Sequence, residues 1–277
     1  MKKIVKVLVC CLCMCSVFSL SLPVFAIDKV PPISVKINEN YILMDTKPVL
    51  MEKTVYVPLR FVANALNAEV IWDGDNRKIT INDDEKCIEM TLDSKIVLVN
   101  GEQYELQSPP PVIDNRTMVP IRFITENMNC KVEWKQATYT VEVVREDIAV
   151  PATSIFKRSY TDEDLNLLAK IVTVEANYIG FDAKLAVANV VVNRKESSRF
   201  PNTIKDVIYD KGYCVQFPPA HKKSFAEKVP STDSIIAAKM ALEGVNNIDK
   251  CLFFNNVPFK SKKNDFYKKI DTEYFYY

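Results

Sequence analysis

Val57-Pro58-Leu59-Arg60-Phe61-Val62 recurs 62 residues further on as Val119-Pro120-Ile121-Arg122-Phe123-Ile124. Trp72 returns as Trp134 at the same shift, and Val35-Lys36-Ile37-Asn38 as Val97-Leu98-Val99-Asn100. A register kept over about fifty residues, with both tryptophans of the chain in phase, marks an internal duplication. Each copy reads as strands around one short helix. Alternation over residues 34–38 and 54–57 predicts short strands. Pro58 suits the first position of a helix over 59–66, since it lacks only a donor that is unpaired there anyway. Residues 69–73 and 78–82 read as strands flanking a turn at Asp75-Asn76. Arg60 and Arg122 are either packing residues of this module or ligand contacts.

Outward from the repeats, the chain divides into three parts. Lys2, Lys3 and Lys6 precede an uncharged run from Val7 to Leu20, and Val24-Phe25-Ala26 supplies small residues for a signal peptidase. Pro23 and that site favour cleavage over a retained anchor, which makes residues 1–26 a signal peptide and Ile27 the first mature residue. Residues 27–149 hold the repeats, at about 34–92 and 95–146. The stretch from Asp147 to Ser159 contains Pro151 and no periodicity, so a second domain is placed at 150–277.

The composition, 48% hydrophobic and 26% charged, is that of a folded chain. Charge is unevenly spread: residues 27–150 carry 14 Lys and Arg against 20 Asp and Glu, and residues 151–277 carry 19 against 15. The C-terminal part therefore suits an anionic polymer such as a cell wall. No basic motif interleaved with aromatics argues for nucleic acid. The mature cysteines, Cys87, Cys130, Cys214 and Cys251, stand singly without a CxxC pair, and no disulfide pairing is selected. Cys130 takes the place of Ala68 in the first repeat, as a small buried thiol would. With His221 the single histidine, neither a zinc site nor another cofactor is expected.

Tyr160-Thr161-Asp162-Glu163-Asp164-Leu165 reads as a helix start. Thr161 is the N-cap, three acids complement the helix dipole, and Tyr160 and Leu165 have the spacing of a hydrophobic staple. At roughly 100° per residue, Glu163, Asn166, Lys170, Thr173 and Asn177 gather on one side. Glu175 falls opposite, among Leu168, Ile171 and Val172. A glutamate in an apolar stripe is costly to bury ionised, so its pKa should rise, as a general acid near neutrality requires. The competing reading is a structural glutamate paired with Arg194. Residues 185–192 predict a central buried helix, a third helix runs from near Thr232 to Gly244, and 251–255 and 274–277 read as strands.

The repeats resemble the copper amine oxidase N-terminal-like, or stalk, domains, over roughly residues 34–144. The segment has no histidine, so the name implies no copper; the expected role is a spacer or a wall contact. Residues 168–176, Leu185-Ala186-Val187-Ala188-Asn189-Val190-Val191-Val192-Asn193-Arg194, Ser198-Arg199-Phe200-Pro201-Asn202-Thr203-Ile204, Val207-Ile208-Tyr209, Gln216-Phe217, Leu252-Phe253-Phe254-Asn255-Asn256 and Phe275-Tyr276 follow one another as in a second family. In this order the chain resembles the SleB-type cell wall hydrolases, the spore-cortex-lytic enzyme family. The resemblance implies an α+β fold overall, with a tandem β-rich module before a mostly helical, lysozyme-like α+β catalytic domain.

It also implies cleavage of peptidoglycan glycan strands by a secreted, wall-associated protein, with Glu175 at the position of the catalytic acid. Three departures stand out. Asn177-Tyr178-Ile179 replaces an Arg-Gly-Glu continuation, Pro218 replaces a serine, and Ile270-Asp271-Thr272-Glu273 replaces Ile-Gly-x-His. Glycosidases of the usual kind use two carboxylates, and the sequence shows no clear second one: Asp182 lies past the helix end, and Asp206 and Asp210 read as surface residues. A single acid suffices for lytic transglycosylation, which the resemblance also implies. Asn193, Gln216, Phe217, Asn255 and Asn256 are the candidates for sugar contacts. The competing functions are muramidase hydrolysis and an inactive wall-binding scaffold.

Overall fold

A computed structural model describes residues 32–212 and 215–277; the expected signal peptide and Cys214 lie outside them. The first repeat contributes β1 (Ser34–Ile37), β2 (Asn40–Tyr41), β3 (Val49–Met51), β4 (Thr54–Pro58), α1 (Leu59–Ala65), β5 (Glu69–Asp73), β6 (Lys78–Asn82) and β7 (Cys87–Thr91). The second contributes β8 (Ile96–Val99), β9 (Glu102–Glu105), β10 (Val112–Ile113), β11 (Arg116–Pro120), α2 (Ile121–Glu126), β12 (Lys131–Lys135) and β13 (Thr140–Val144). Pro58 and Pro120 sit one residue earlier than expected, at the caps of α1 and α2. Their extended ψ of 113° and 112° leaves each as the last residue of a strand.

The two copies interlock. β1 runs parallel to β13, with Ser34 opposite Thr140 and Ile37 opposite Val143. The sheet β12-β13-β1-β2 thus takes two strands from each repeat, and β5-β6-β7-β8-β9 takes three from the first and two from the second, with β7 between β6 and β8. Between them β4 pairs antiparallel with β11, and Val57 lies opposite Val119. These two residues are equivalent in the repeat, so a pseudo-twofold axis passes between them. Val57, Val62, Val119 and Ile124 are fully buried there. On the same axis the equivalent residues Asp83 and Arg145 form an ion pair at 2.6 Å, with side chains only 5% and 8% exposed.

After β13 the chain stays on the module as far as Phe156. Leu43 donates its N–H to the carbonyl of Ser154 at 2.9 Å, and Phe156 donates to that of Tyr41 at 2.7 Å. The helices that follow are α3 (Asp162–Glu175), α4 (Phe181–Glu196), α5 (Ile204–Tyr209), α6 (Lys223–Ala226) and α7 (Thr232–Leu242). Then come β14 (Phe253–Asn255), β15 (Phe266–Ile270) and β16 (Glu273–Tyr276), in the order β14-β16-β15. α3 starts at a capping box: Asp164 donates its N–H to the Thr161 hydroxyl at 3.0 Å, and Thr161 donates its own to the Asp164 carboxylate at 2.9 Å. Such a cap stabilises a helix by about 1 kcal/mol. Tyr160 and Leu165 are both buried. α4 is buried from Ala183 to Val191 and packs Ala186 and Val190 against Phe275 of the small sheet. Thr173 departs from its expected solvent face. It is buried, bonds the carbonyl of Ala169, and accepts the N–H of Ser231 ahead of α7.

Module and helical domain share a polar seam. Asp162 accepts from Lys36 at 2.9 Å, from Tyr41 at 2.6 Å and from Arg158 at 2.6 Å. Burial opposes its charge, but these three donors prevail and hold it at about 2. Lys239 of α7 has no exposed surface, and its ammonium donates to the carbonyls of Thr138 and Tyr139 at 2.9 and 3.0 Å. Burial pushes its pKa from 10.5 down to about 8. Below pH 8 the amine is charged in the folded and unfolded chain alike. Between pH 8 and 10.5 the folded state sheds the proton while the unfolded chain keeps it, so the contribution to stability rises with pH. Urea unfolding of the native chain and Lys239→Met at about pH 7 and about pH 10 should show the native chain gaining about 2 kcal/mol on the variant. An equal difference at both pH values would mean that Lys239 keeps an ordinary pKa.

Candidate active site

Glu175 is the last residue of α3, where unpaired carbonyls concentrate negative potential and disfavour an anionic side chain. Its carboxyl is half-buried, and Oε1 is buried with no hydrogen-bond partner among the described residues. Burial raises its pKa, the charge of Glu273 raises it further, and Arg194 pulls it back. The upward causes prevail. A protonated carboxyl relieves part of the cost of an orphaned buried oxygen.

Arg194 sits behind the acid on α4. It is buried, donates from Nε to the carbonyl of Leu252 at 2.7 Å, and stands over the rings of Phe200 and Phe217 at 5.0 and 5.1 Å. Its guanidinium is thereby fixed in an aromatic cage. That cage also corrects an expectation: Phe217 is fully buried and packs toward Phe254 at 6.5 Å, so its ring offers no face to a sugar.

Asn193 is adjacent on α4 and bonds the same segment before β14. Its amide donates to the carbonyls of Asp249 and Cys251 at 2.8 and 2.9 Å and accepts from Asn246 at 3.0 Å, which ties α4 to the loop before β14. These bonds give it a structural role, so it too leaves the set of sugar contacts. Gln216 is half-buried at the turn leading into Phe217. Asn255 lies in β14 opposite Tyr274 and donates to the carbonyl of Val257 at 3.0 Å; Asn256 is exposed beside it.

The second carboxylate comes from β16. Glu273 is 8% exposed and accepts from the Thr272 hydroxyl at 3.3 Å. Burial raises its pKa, Thr272 works the other way, and neighbouring Asp271 adds to the rise. The hairpin tip that carries it is fastened to the loop after Glu175, because Asp271 accepts the N–H of Gly180 at 2.8 Å. Two of the three sequence departures therefore meet in space. The carboxylates weighed in the sequence do other work: Asp206 and Thr203 cap α5, Asp210 accepts the N–H of Gly212, and Asp182 stands in the first turn of α4. In the same loop Tyr178 is 97% exposed, an aromatic ring with no packing role beside the acid. A lone aromatic in a short polar loop was the signal that could have marked it.

Cys130 is buried, with its thiol on the carbonyl of Met128 at 3.5 Å, and Cys87, Cys130 and Cys251 are free. Among the described residues no helix is long and apolar enough to cross a membrane.

Residues 36–143 match the family described as copper amine oxidase N-terminal domain, and residues 180–276 the family described as Cell Wall Hydrolase. Glu175 precedes the second matched segment. No curated protein matches the chain. Two solved structures align with 44% of it. They are the catalytic domain of the germination-specific lytic transglycosylase SleB from Bacillus anthracis, at 24% identity, TM-score 0.39 and 100% of that chain, and the catalytic domain of the Bacillus cereus SleB protein, at 26% identity, TM-score 0.39 and 94% of that chain. The chain is thus similar to the copper amine oxidase N-terminal domain over residues 36–143 and to the cell wall hydrolases over residues 180–276.

Proposed function

We propose that this protein is an exported peptidoglycan glycosidase, a lytic transglycosylase that uses Glu175 as its acid and base in the cell wall or spore cortex. The observation that carries this reading is the half-buried Glu175 carboxyl, with an unpartnered oxygen and a raised pKa. Protonated Glu175 gives its proton to the oxygen joining N-acetylmuramic acid to N-acetylglucosamine. The C1–O bond breaks, and the muramyl acetamide stabilises the developing cation. The glutamate then takes the proton of the C6 hydroxyl as O6 closes on C1. The product is a 1,6-anhydro sugar, and no water is consumed. Gln216, Asn255, Asn256 and Tyr178 remain as candidate sugar contacts.

Glu273 favours one second reading, muramidase hydrolysis, because a second carboxylate can activate water. Digestion of purified peptidoglycan separates the two: anhydromuropeptides lighter by one water support transglycosylation, and hydrated products support hydrolysis. Absence of any product would leave a wall-binding scaffold.

Glu273 also sets a pH dependence. Its negative charge holds the proton on Glu175, and activity dies on the alkaline side as that proton is lost. In Glu273→Gln the alkaline limb of kcat/KM should move to lower pH, with about tenfold less activity just above the native limb. An unmoved limb in the folded variant would mean that the two carboxyls do not communicate.

A further inference from the structure

The pseudo-twofold axis of the repeats generates two equivalent cavities. One, of about 310 Å³, is lined by Arg60, Phe61, Val70 and Trp72 of the first repeat and by Asn115, Arg116 and Thr117 of the second. The other, of about 390 Å³, is lined at the same positions by Arg122, Val132 and Trp134 and by Lys53, Thr54 and Val55. Each has an arginine and a tryptophan on one repeat facing a strand start of the other.

The copies differ in what those two side chains do. In the second cavity both are satisfied internally. Arg122 pairs with Glu126 at 3.0 Å and donates to the carbonyl of Val132 at 3.3 Å, and Trp134 donates from Nε1 to Gln136 at 2.9 Å. In the first cavity the positions of Glu126 and Gln136 hold Asn64 and Gly74. Among the described residues Arg60 and the Trp72 indole N–H have no hydrogen-bond partner. Trp72 is 47% exposed, and Arg60 is exposed as well. Internal pairing accounts for Arg122 and Trp134; the first copy has no such partners for its arginine and indole. Arg116, the other cation there, is neutralised by Asp45 through both carboxylate oxygens.

We infer that the first cavity, between Trp72 and Arg60, is a binding site for an N-acetylated pyranose of a wall glycan strand, separate from the Glu175 site. The identification of the glycan rests on the function proposed above. An indole face covers the apolar face of a sugar ring, and the planar guanidinium and the indole N–H donate to its hydroxyl or acetamide oxygens. A cavity of this size is at the small end of ligand sites, suited to one or two sugar units. The net negative charge of residues 27–150, 20 acidic side chains against 14 basic, disfavours a polyphosphate chain there.

The chain has two tryptophans, one in each cavity, so its indole emission reports on these sites and not on the acid. The test is a fluorescence titration of the full mature chain with an N-acetylglucosamine oligomer, backed by calorimetry. The expected result is a saturable change in emission that Trp72→Phe abolishes and Trp134→Phe keeps. Arg60→Ala should weaken binding about tenfold. Asn64→Glu combined with Gly74→Gln copies the internal partners of the second cavity into the first repeat, occupies the Arg60 and Trp72 donors, and should abolish binding with Trp72 in place, which covers the case of an unfolded Trp72→Phe. The inference is overturned if the oligomer changes neither emission nor heat, if the Asn64→Glu, Gly74→Gln double variant binds as the native chain does, or if polyphosphate binds and the oligomer does not. Saturable binding by a chain that releases no muropeptides would keep this site and remove the glycosidase reading.

Discussion

Glu175→Gln should release muropeptides from purified peptidoglycan roughly 10²–10⁴-fold more slowly than the native chain, at or beyond the upper end if one residue is both acid and base. The amide keeps the shape of the side chain but has no proton to deliver. Its melting temperature should stay close to native, because the acid it replaces is held toward its neutral form by burial and by Glu273, and no buried charge is added or removed. A structural glutamate would behave differently: stability would fall, and lost activity would follow the unfolded fraction. The measurement is muropeptide release by both proteins with thermal unfolding alongside. Undiminished release by a well-folded Glu175→Gln would remove Glu175 from the chemistry.

Asp83→Ala should cost about 1–3 kcal/mol of stability, because the buried guanidinium of Arg145 loses its nearest partner and keeps only Asp147, whose side chain is 66% exposed. Asp83 has two duties. It accepts from Arg145 at 2.6 Å, and its other oxygen accepts the N–H groups of Glu85 and Lys86 at 3.0 and 2.8 Å in the turn before β7. Burial works against its charge, yet these donors prevail and hold its pKa below the usual carboxylate range. A depressed carboxylate stabilises above its unfolded pKa, and that contribution is lost as pH falls through the folded value. The penalty of Asp83→Ala should therefore shrink in acid. Adding Arg145→Met should recover part of the loss, since the under-paired buried charge is removed and the exposed Asp147 carboxylate it leaves behind stays solvated. Urea titrations of the single and double variants read this coupling, and additive losses would show that the ion pair contributes nothing.

Much of the fold was legible because it is written in local patterns. Thr161, Asp164 and Tyr160 announced the start of α3, and the apolar run at 185–192 announced a buried helix. The repeat foretold two similar units, but not that β1 would cross to β13, because strand alternation says nothing about which edge a strand joins. The candidate acid was visible for the same local reason, as a charge interrupting an apolar stripe. Its companion was not. Glu273 lies far away in sequence and became a neighbour only when the β15–β16 hairpin folded back onto the loop at Gly180. Phe217 and Asn193 misled in the opposite sense. A ring and an amide within family-like motifs suggested sugar contacts, while the fold spends them on the Arg194 cage and on the 246–251 loop.

The crossing of β1 to β13 also governs when the module can come into being. Any machinery that delivers the chain N-terminus first presents β1 long before its partner, so the sheet β12-β13-β1-β2 cannot close until residues 140–143 arrive, whereas the meander β5 to β9 is complete by residue 105. The β1–β13 pairing then forms in a late, non-local step, slow by the standards of hairpins. Until that step the open strand edges are exposed to self-association and to proteases. Once formed, the same interlock works in reverse: a cut in the link between β7 and β8 would leave two fragments, each holding strands the other needs, and they should stay together.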